Sequence, residues 1–459
     1  MYDFAIIGSG VSGARIAYEL TVGGAKCVMI EAGRTFDRTT FPPHEMGYST
    51  QMFWNGGLEV SRDGRLGFLR GKCLGGTSVV NQADVDRFDD VAWDDWRDRA
   101  GIDFLRRSEM DPLYDDLQRQ VAVTRIDEKY QNANAKLFVK AFEALGYDWK
   151  PIDRSQTDCA LEHGSDCIVC LGGCPRDSKQ SAIVKIIPEA KRLGLVIETL
   201  FEVEQVEDQA EQVVIRGTRE GQRREITAQR AVLAAGSFGN TALLFRSGFD
   251  RDLPALGRHF SCHPQFMTYG VFDERIDAHK GALQSVQAHD GKLRSAGLKL
   301  ENVYAPPIAT AMLLPGVRGR HQAAMKKYRH FAVVEVAIRD EAAGRLRVDR
   351  KNRLVIEKKL TAVDREKIRE GTQLAGNLLT TVGAREVIDC HQAFGLHLMG
   401  GCSLGTDARG SVVNPDFQLH GHPRLYTADS SIFPAAPGIN PSFTIMALSL
   451  KAARRLLKN

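Results

Sequence analysis

Two groups of residues in this chain have the types and spacing that chemistry demands. The first is Gly8-Ser9-Gly10-Val11-Ser12-Gly13, a G-x-G-x-x-G between an apolar run (Phe4 to Ile7) and a stretch of helical apolar spacing (Val11 to Leu20). In that setting Gly8 allows a tight turn, Gly10 lets a pyrophosphate approach the backbone, and Gly13 permits close helix–sheet packing. The helix N-terminus, with Ser12 grouped among the cofactor contacts, offers free N–H groups and a favourable dipole. Glu31 closes a second predicted strand, Ala25 to Ile30. Its carboxylate suits two ribose hydroxyls and repels a 2′-phosphate. A glycine-rich turn alone is weak evidence. Strand, helix, strand and acidic tip together predict dinucleotide binding, without deciding between NAD and FAD.

The second group is Cys167-Ile168-Val169-Cys170-Leu171-Gly172-Gly173-Cys174-Pro175, with Cys159 upstream. C-x2-C-x3-C-P has the spacing of the last three cysteines of a bacterial ferredoxin run. Three thiolates suit a [3Fe–4S] cluster, and Cys159 would complete a [4Fe–4S] set. A packing motif without metal is the competing reading. Zinc comes third, because the spacing is tighter than that of paired zinc knuckles.

The elements that must position these groups fit two interleaved domains. At 459 residues the chain is long enough for at least two cores. Its 43% hydrophobic and 26% charged residues are ordinary for a globular enzyme. A formal net charge of +4 gives no reason to expect nucleic acid or an anionic membrane as partner. No basic leader precedes Phe4 to Ile7 and no long uncharged apolar run follows, so a cytoplasmic location without a membrane span is expected. The nine cysteines are then expected unpaired. Apolar periodicity predicts helices over 93–121, 133–145, 182–193, 362–382 and 442–457. It predicts strands over 195–206, 212–216, 230–235 and 425–427. Alternation at 331–338, 346–348 and 354–356 predicts an antiparallel sheet with one covered face.

A second glycine-rich loop, Arg70-Gly71-Lys72-Cys73-Leu74-Gly75-Gly76-Thr77-Ser78-Val79-Val80-Asn81, has no evident use in a simple nicotinamide dehydrogenase. Near the C-terminus stand Gly395-Leu396-His397-Leu398-Met399-Gly400-Gly401-Cys402, then Ala428-Asp429-Ser430-Ser431, then Gly438-Ile439-Asn440-Pro441-Ser442. In this order and spacing, over nearly the whole chain, these blocks resemble the glucose–methanol–choline (GMC) oxidoreductase family. The block around Ala234 to Gly239 is similar to a loosened form of that family's second signature.

The resemblance implies an α/β fold: a GMC-type Rossmann-like FAD-binding domain interleaved with an α+β substrate domain on an antiparallel sheet. The FAD domain is expected over 1–90, 180–260 and 391–459, a helical and Cys-rich insertion over 91–179, and the substrate domain over 261–390. It implies that Gly71, Gly75, Gly76, Thr77, Ser78 and Asn81 wrap pyrophosphate and flavin. Asp429 is implied at the ribityl–phosphate region, Val203 at adenine, and Pro441 and Ser442 near the flavin. Val80 stands beside Asn81 where some members carry a histidine linked to FAD, so non-covalent FAD is expected.

It also implies alcohol oxidation, with His397 as proton acceptor and Asn440 orienting the hydroxyl. A neutral imidazole suits that proton near pH 7. His391, His420 and His422 are read as structural. Some members carry an Fe–S cluster in the cysteine region, and others, including long-chain alcohol oxidases, have a similar stretch that need not hold metal. The leading expectation is a dehydrogenase of a small-molecule alcohol, passing electrons to an acceptor protein or quinone. An oxygen-using oxidase and a flavin-dependent lyase or photodecarboxylase are the alternatives.

Overall fold

The computed structural model describes residues 1–161, 167–390 and 393–458, with backbone alone at 167–169. The chain opens with strand β1 (Tyr2–Ile7), helix α1 (Val11–Val22) and strand β2 (Cys27–Ile30). The strands pair in parallel, Phe4 opposite Cys27, and β1 also pairs in parallel with the strand Gln222–Leu233. Parallel strands covered on both faces read as continuous apolar runs, which is why residues 4–7 and 27–30 are uniformly buried. These strands form an eight-stranded sheet with 418–419, 422–427, 196–198, 201–208 and 213–219.

A second sheet has nine strands. Its central strands are β3 (Ser261–Val271), β4 (Leu298–Asn302) and β5 (Phe331–Ile338), joined by β6 (Ala393–Met399). The closing helix α2 (Ser442–Leu456) returns to pack on α1. β3 pairs antiparallel with both β5 and β6, and β4 pairs with the other edge of β5.

Several sequence expectations change. The helix expected over 93–121 divides into Asp90–Ala100 and Arg107–Gln120, because Gly101 takes a left-handed φ of 65° and ends the first. The strand expected over 195–206 breaks at Leu200, φ 58°, into Val196–Glu198 and Phe201–Asp208. The second sheet is covered on both faces, and every residue of β5 is buried. The helix Ala362–Thr381 lies against one face closely enough that a Cβ on Gly371 would fall 2.4 Å from Val336 Cγ1. Strands 345–348 and 354–357 pair only with each other. Strands 59–60, 66–68, 149–151 and 393–399, expected in the FAD domain or the insertion, lie in the nine-stranded sheet. Among the described residues no helix is long and apolar enough to cross a membrane.

Candidate active site

The two glycine loops meet. Ser9 Oγ donates to Glu31 Oε2 at 2.6 Å and accepts from the Gly75 N–H at 2.9 Å, tying the first loop to the second. A Cβ on Gly76 would lie 2.9 Å from Gly10 Cα, and one on Gly71 2.8 Å from the Gly76 carbonyl carbon. Gly13 faces Gly8 O (2.0 Å to an added Cβ), and Gly8 faces Ala234 O (2.3 Å). These glycines are fixed by contact with protein. Gly10 differs: nothing lies within 4 Å of a Cβ there, so open space stands over the N-terminus of α1. Ser12 Oγ, buried in the first turn, has no partner. Space, an orphaned hydroxyl and free N–H groups fit a pyrophosphate.

The other expected contacts surround this cradle. Gly33 N–H and the Ser9 N–H donate to Glu31, and burial pushes its carboxyl up against those bonds. Thr77 Oγ1 accepts from Gly71 N–H, and Ser78 Oγ donates to Gly75 O, bracing the second loop. Asn81 Oδ1 accepts from Ala83 N–H and its carbonyl from Lys179 Nζ. Val203 is half-buried against the first core. Asp429 caps the turn Ser430–Ile432 and accepts from Gly236 N–H and Asn240, which occupies its carboxylate with protein donors. α2 begins at Ser442 with Pro441 as N-cap and no side-chain cap, leaving its first N–H groups for other acceptors.

His397 stands on a bulge. Ser261 pairs with Met399 but His263 with Leu396, so β6 has one residue more than β3 here. His397 takes φ 56° and leaves the regular alternation of the strand. Bulges re-aim side chains at active sites in this way. Its Nδ1 lies 2.9 Å from Nδ1 of His263, with the rings nearly perpendicular (80°). His263 Nε2 accepts from the Gly438 N–H at 3.0 Å. Burial and neighbouring cations push both imidazoles down, His397 to about 3, so both are neutral at pH 7. A neutral ring carries one proton. His263, accepting at Nε2, carries its proton on Nδ1 and donates to His397. His397 then carries its proton on Nε2, which makes no hydrogen bond with the described residues.

Asn440 is buried and donates through Nδ2 to Asp84 Oδ2 at 3.1 Å. Asp84 follows the second glycine loop and faces the polar side of the second sheet. Strand register places His263 and Gln265 of β3, Lys299 and Glu301 of β4 and Glu335 of β5 on that side. Lys299 Nζ reaches Asp86 at 3.3 Å and Glu301 at 2.8 Å, and Lys150 reaches Asp86 at 3.3 Å. Both lysines hold Asp86 below its ordinary value despite its burial. Burial, partly offset by Arg154, raises Asp84 to about 7, and burial beside Glu301 raises Glu335 well above the carboxylate range. The sequence singled out neither His263 nor Asp84. His263 depends on pairing between distant strands, and Asp84 on the return of residue 440.

A GMC oxidoreductase profile matches residues 49–265 in its N-terminal part and 340–449 in its C-terminal part. The chain belongs to the GMC oxidoreductase family. It is therefore an FAD-dependent oxidoreductase of CH–OH donors. An uncharacterized GMC-type oxidoreductase of Mycobacterium tuberculosis is 27% identical over 98% of this chain and 75% of its own. A long-chain-alcohol oxidase of Arabidopsis thaliana is 24% identical over 99% of this chain and 66% of its own. Paromamine 6'-oxidase of Streptomyces fradiae is 25% identical, covering 99% and 91%. Pyridoxine 4-oxidase from Mesorbium loti superposes with a TM-score of 0.75 at 17% identity, covering both chains completely. Aspergillus oryzae formate oxidase gives 0.76 at 14%, over 99% and 98%.

In this GMC oxidoreductase the cysteine stretch lies beside the second glycine loop. Residues 167–172 form a 3-10 turn, and added Cβ atoms on Gly172 and Gly173 would strike Tyr48 and Phe41. Lys179 Nζ bridges Cys170 O at 2.7 Å and Asn81 O at 2.9 Å. Cys159 Sγ meets Ser178 Oγ at 3.1 Å. The side chain of Cys167 is outside the described residues, as is His391. Among the described residues no group of His, Cys, Asp or Glu is arranged to hold a metal. His420 bonds Ser411 and Gly405 O, and His422 lies 3.5 Å from Asp208, both away from the cradle.

Proposed function

We propose that this enzyme oxidises a small-molecule alcohol to its carbonyl, holding FAD without a covalent bond and passing electrons to an external acceptor. The observation that supports it most is that His263 joins His397 on its bulge to Gly438, two residues before Asn440. FAD, when bound, supplies the hydride acceptor. Gly8, Gly10, Ser12 and Gly13 with Gly71, Gly75 and Gly76 take its pyrophosphate, Glu31 a ribose, and the first N–H groups of α2 the flavin edge, where they stabilise negative charge. Thr77, Ser78, Asn81, Val203, Asp429, Pro441 and Ser442 complete the surround. His397 and Asn440 hold the hydroxyl. The long-chain-alcohol, paromamine and pyridoxine oxidases among the similar proteins are consistent with such donors. Anaerobic mixing with a panel of alcohols is expected to bleach the flavin absorbance within seconds for at least one class. Bound flavin that no alcohol reduces would sink the reading in favour of a lyase.

A second reading concerns the acceptor. Lys179 is 4% exposed and bonds only carbonyls, with no carboxylate partner among the described residues. A buried cation without an anion is costly. Cys170 and Cys174 bear on it electrostatically. Cys159, Cys167, Cys170 and Cys174 holding an anionic [3Fe–4S] or [4Fe–4S] centre would supply the missing charge and a one-electron outlet. Iron and sulfide analysis of anaerobically prepared protein is the test. Full activity without iron favours oxygen as acceptor.

A further inference from the structure

We propose that the excursion between β4 and β5, residues 303–330, is a docking surface for an anionic lipid bilayer, on which the protein lies without spanning it. The proposal is independent of the alcohol-oxidation reading, because occupation of this surface is measured without turnover.

The sequence of the excursion divides in two. Residues 305–317, Ala305 to Val317, carry no charged side chain. Residues 318–330 then hold five Lys and Arg (Arg318, Arg320, Lys326, Lys327 and Arg329). No Asp or Glu falls anywhere between 303 and 330, in a chain where 57 of 459 residues are acidic. The net charge of +4 for the whole chain conceals this local excess.

The fold turns the apolar half outward as well as inward. In the helix Pro307–Leu313, Thr310 and Leu313 are buried, while Ile308 and Met312, one turn apart, are both exposed. A surface helix facing water carries polar groups there. Val317 follows, between Gly316 and Arg318, whose positive φ angles of 99° and 54° turn the chain sharply. It is 76% exposed, the most of any large apolar side chain among the described residues. Glu45 accepts from the Ile308 and Ala309 N–H groups at 2.7 and 3.0 Å, which brings the exposed Met46 into the same neighbourhood.

The cations divide into two sets. Tyr304 Oη donates to Tyr328 O, tying the two ends of the excursion together, and close to that tie Lys327 is paired with Glu386 and Arg329 with Asp277. Arg318, Arg320 and Lys326 are exposed and make no ion pair among the described residues. Exposed apolar side chains rimmed by uncommitted cations suit the acyl boundary and the anionic headgroups of a bilayer. A second copy of this chain fits poorly. A two-fold contact lays the same patch on itself, and the three cations would meet their own kind with no carboxylate in the excursion to answer them. The surface also lies near the cofactor cradle. The helix Glu45–Met52, about 12 Å long, meets the excursion through Glu45 at one end and accepts the Lys72 N–H of the second glycine loop at Met52 O at the other.

The test is flotation of the FAD-loaded full chain with lipid vesicles. Vesicles of equal parts phosphatidylglycerol and phosphatidylcholine are expected to carry the protein, vesicles of phosphatidylcholine alone to leave it behind, and high salt to release it. Arg318→Gln, Arg320→Gln and Lys326→Gln together should lower the partition coefficient about 100-fold, the worth of three basic residues near such a surface. Met312→Asp should lower it about tenfold or more while leaving the melting temperature and the bound flavin unchanged. Val317→Trp should add fluorescence, above that of the native tryptophans, which brominated acyl chains quench; this separates entry into the bilayer from attraction to its charge. Flotation that is absent, or that survives the triple substitution, overturns the proposal. Flotation without quenching in Val317→Trp overturns it in favour of an acidic protein partner. A dimer that Met312→Asp dissociates overturns it in favour of a second copy.

Discussion

Gly10 and Gly76 face one another across the cradle, yet their hydrogens do different work. At Gly76 an added methyl meets Gly10 backbone at 2.9 Å, in a backbone with φ 55°. At Gly10 it meets only open space. Gly76→Ala is therefore expected to lower the melting temperature of apoprotein and holoenzyme alike. Gly10→Ala should leave the apoprotein melt within about 1 °C while weakening FAD by about tenfold or more, since a one-methylene clash in a tight site costs about 1–3 kcal/mol. Titrating FAD by flavin fluorescence separates the two, and equal affinity for Gly10→Ala would show that the space is not the cofactor's. Both glycines were legible from type and spacing, as was His397 from its motif. The contact of His397 with His263 was not, because β3 meets β6 only in the folded sheet.

Among the elements, the second sheet carries an unusual internal cost. Glu301 and Glu335 sit directly opposite on β4 and β5, both buried, where like charges destabilise a strand pair. Keeping Glu335 protonated removes one charge. The folded protein then binds a proton that the unfolded chain releases above its ordinary carboxylate value, so this group makes stability fall as pH rises from about 4.5. Glu335→Gln should flatten that slope and raise the melting temperature at pH 8 more than at pH 5. At about 2.1 cal/mol/K per residue, each kcal/mol regained moves the melt by about 1 °C in a chain this long. A variant whose melt falls equally at both pH values would show that the carboxyl is needed for its shape alone. The strand 331–338, read from alternation, has the ends expected of it. The short strands 59–60, 66–68 and 149–151 were invisible, since so short a segment has no periodicity. Alternation also misjudged coverage, because the polar face of β4 and β5 is buried against other charged groups instead of water.

At the scale of the whole molecule, the family blocks lie far apart in sequence and converge on one cradle, which is why the fold was readable from motifs before any contact was known. Val80 is buried among Phe36, Tyr48, Met52 and Cys73, and its aliphatic side chain has no atom able to bond the flavin. Acid or heat denaturation of the yellow holoenzyme should leave intact FAD in the supernatant. Flavin retained by the pellet would reveal a covalent bond and refute the Val80 argument.

The sheet that carries His263, Lys299 and Glu335 is stitched from strands at 59–60, 66–68, 149–151, between 261 and 338, at 386–389 and at 393–399. It is not a contiguous module. A chimera that transplants only residues 261–390 from a relative would pair foreign β3 with native β6 across the bulge at His397, and foreign β4 with native Asp86 through Lys299. New substrate ranges in this architecture are thus reached by point changes on a shared seam more readily than by exchange of contiguous parts, and a designer who wishes to graft must carry at least the loop at 84–86 and the strand at 393–399 along with the sheet.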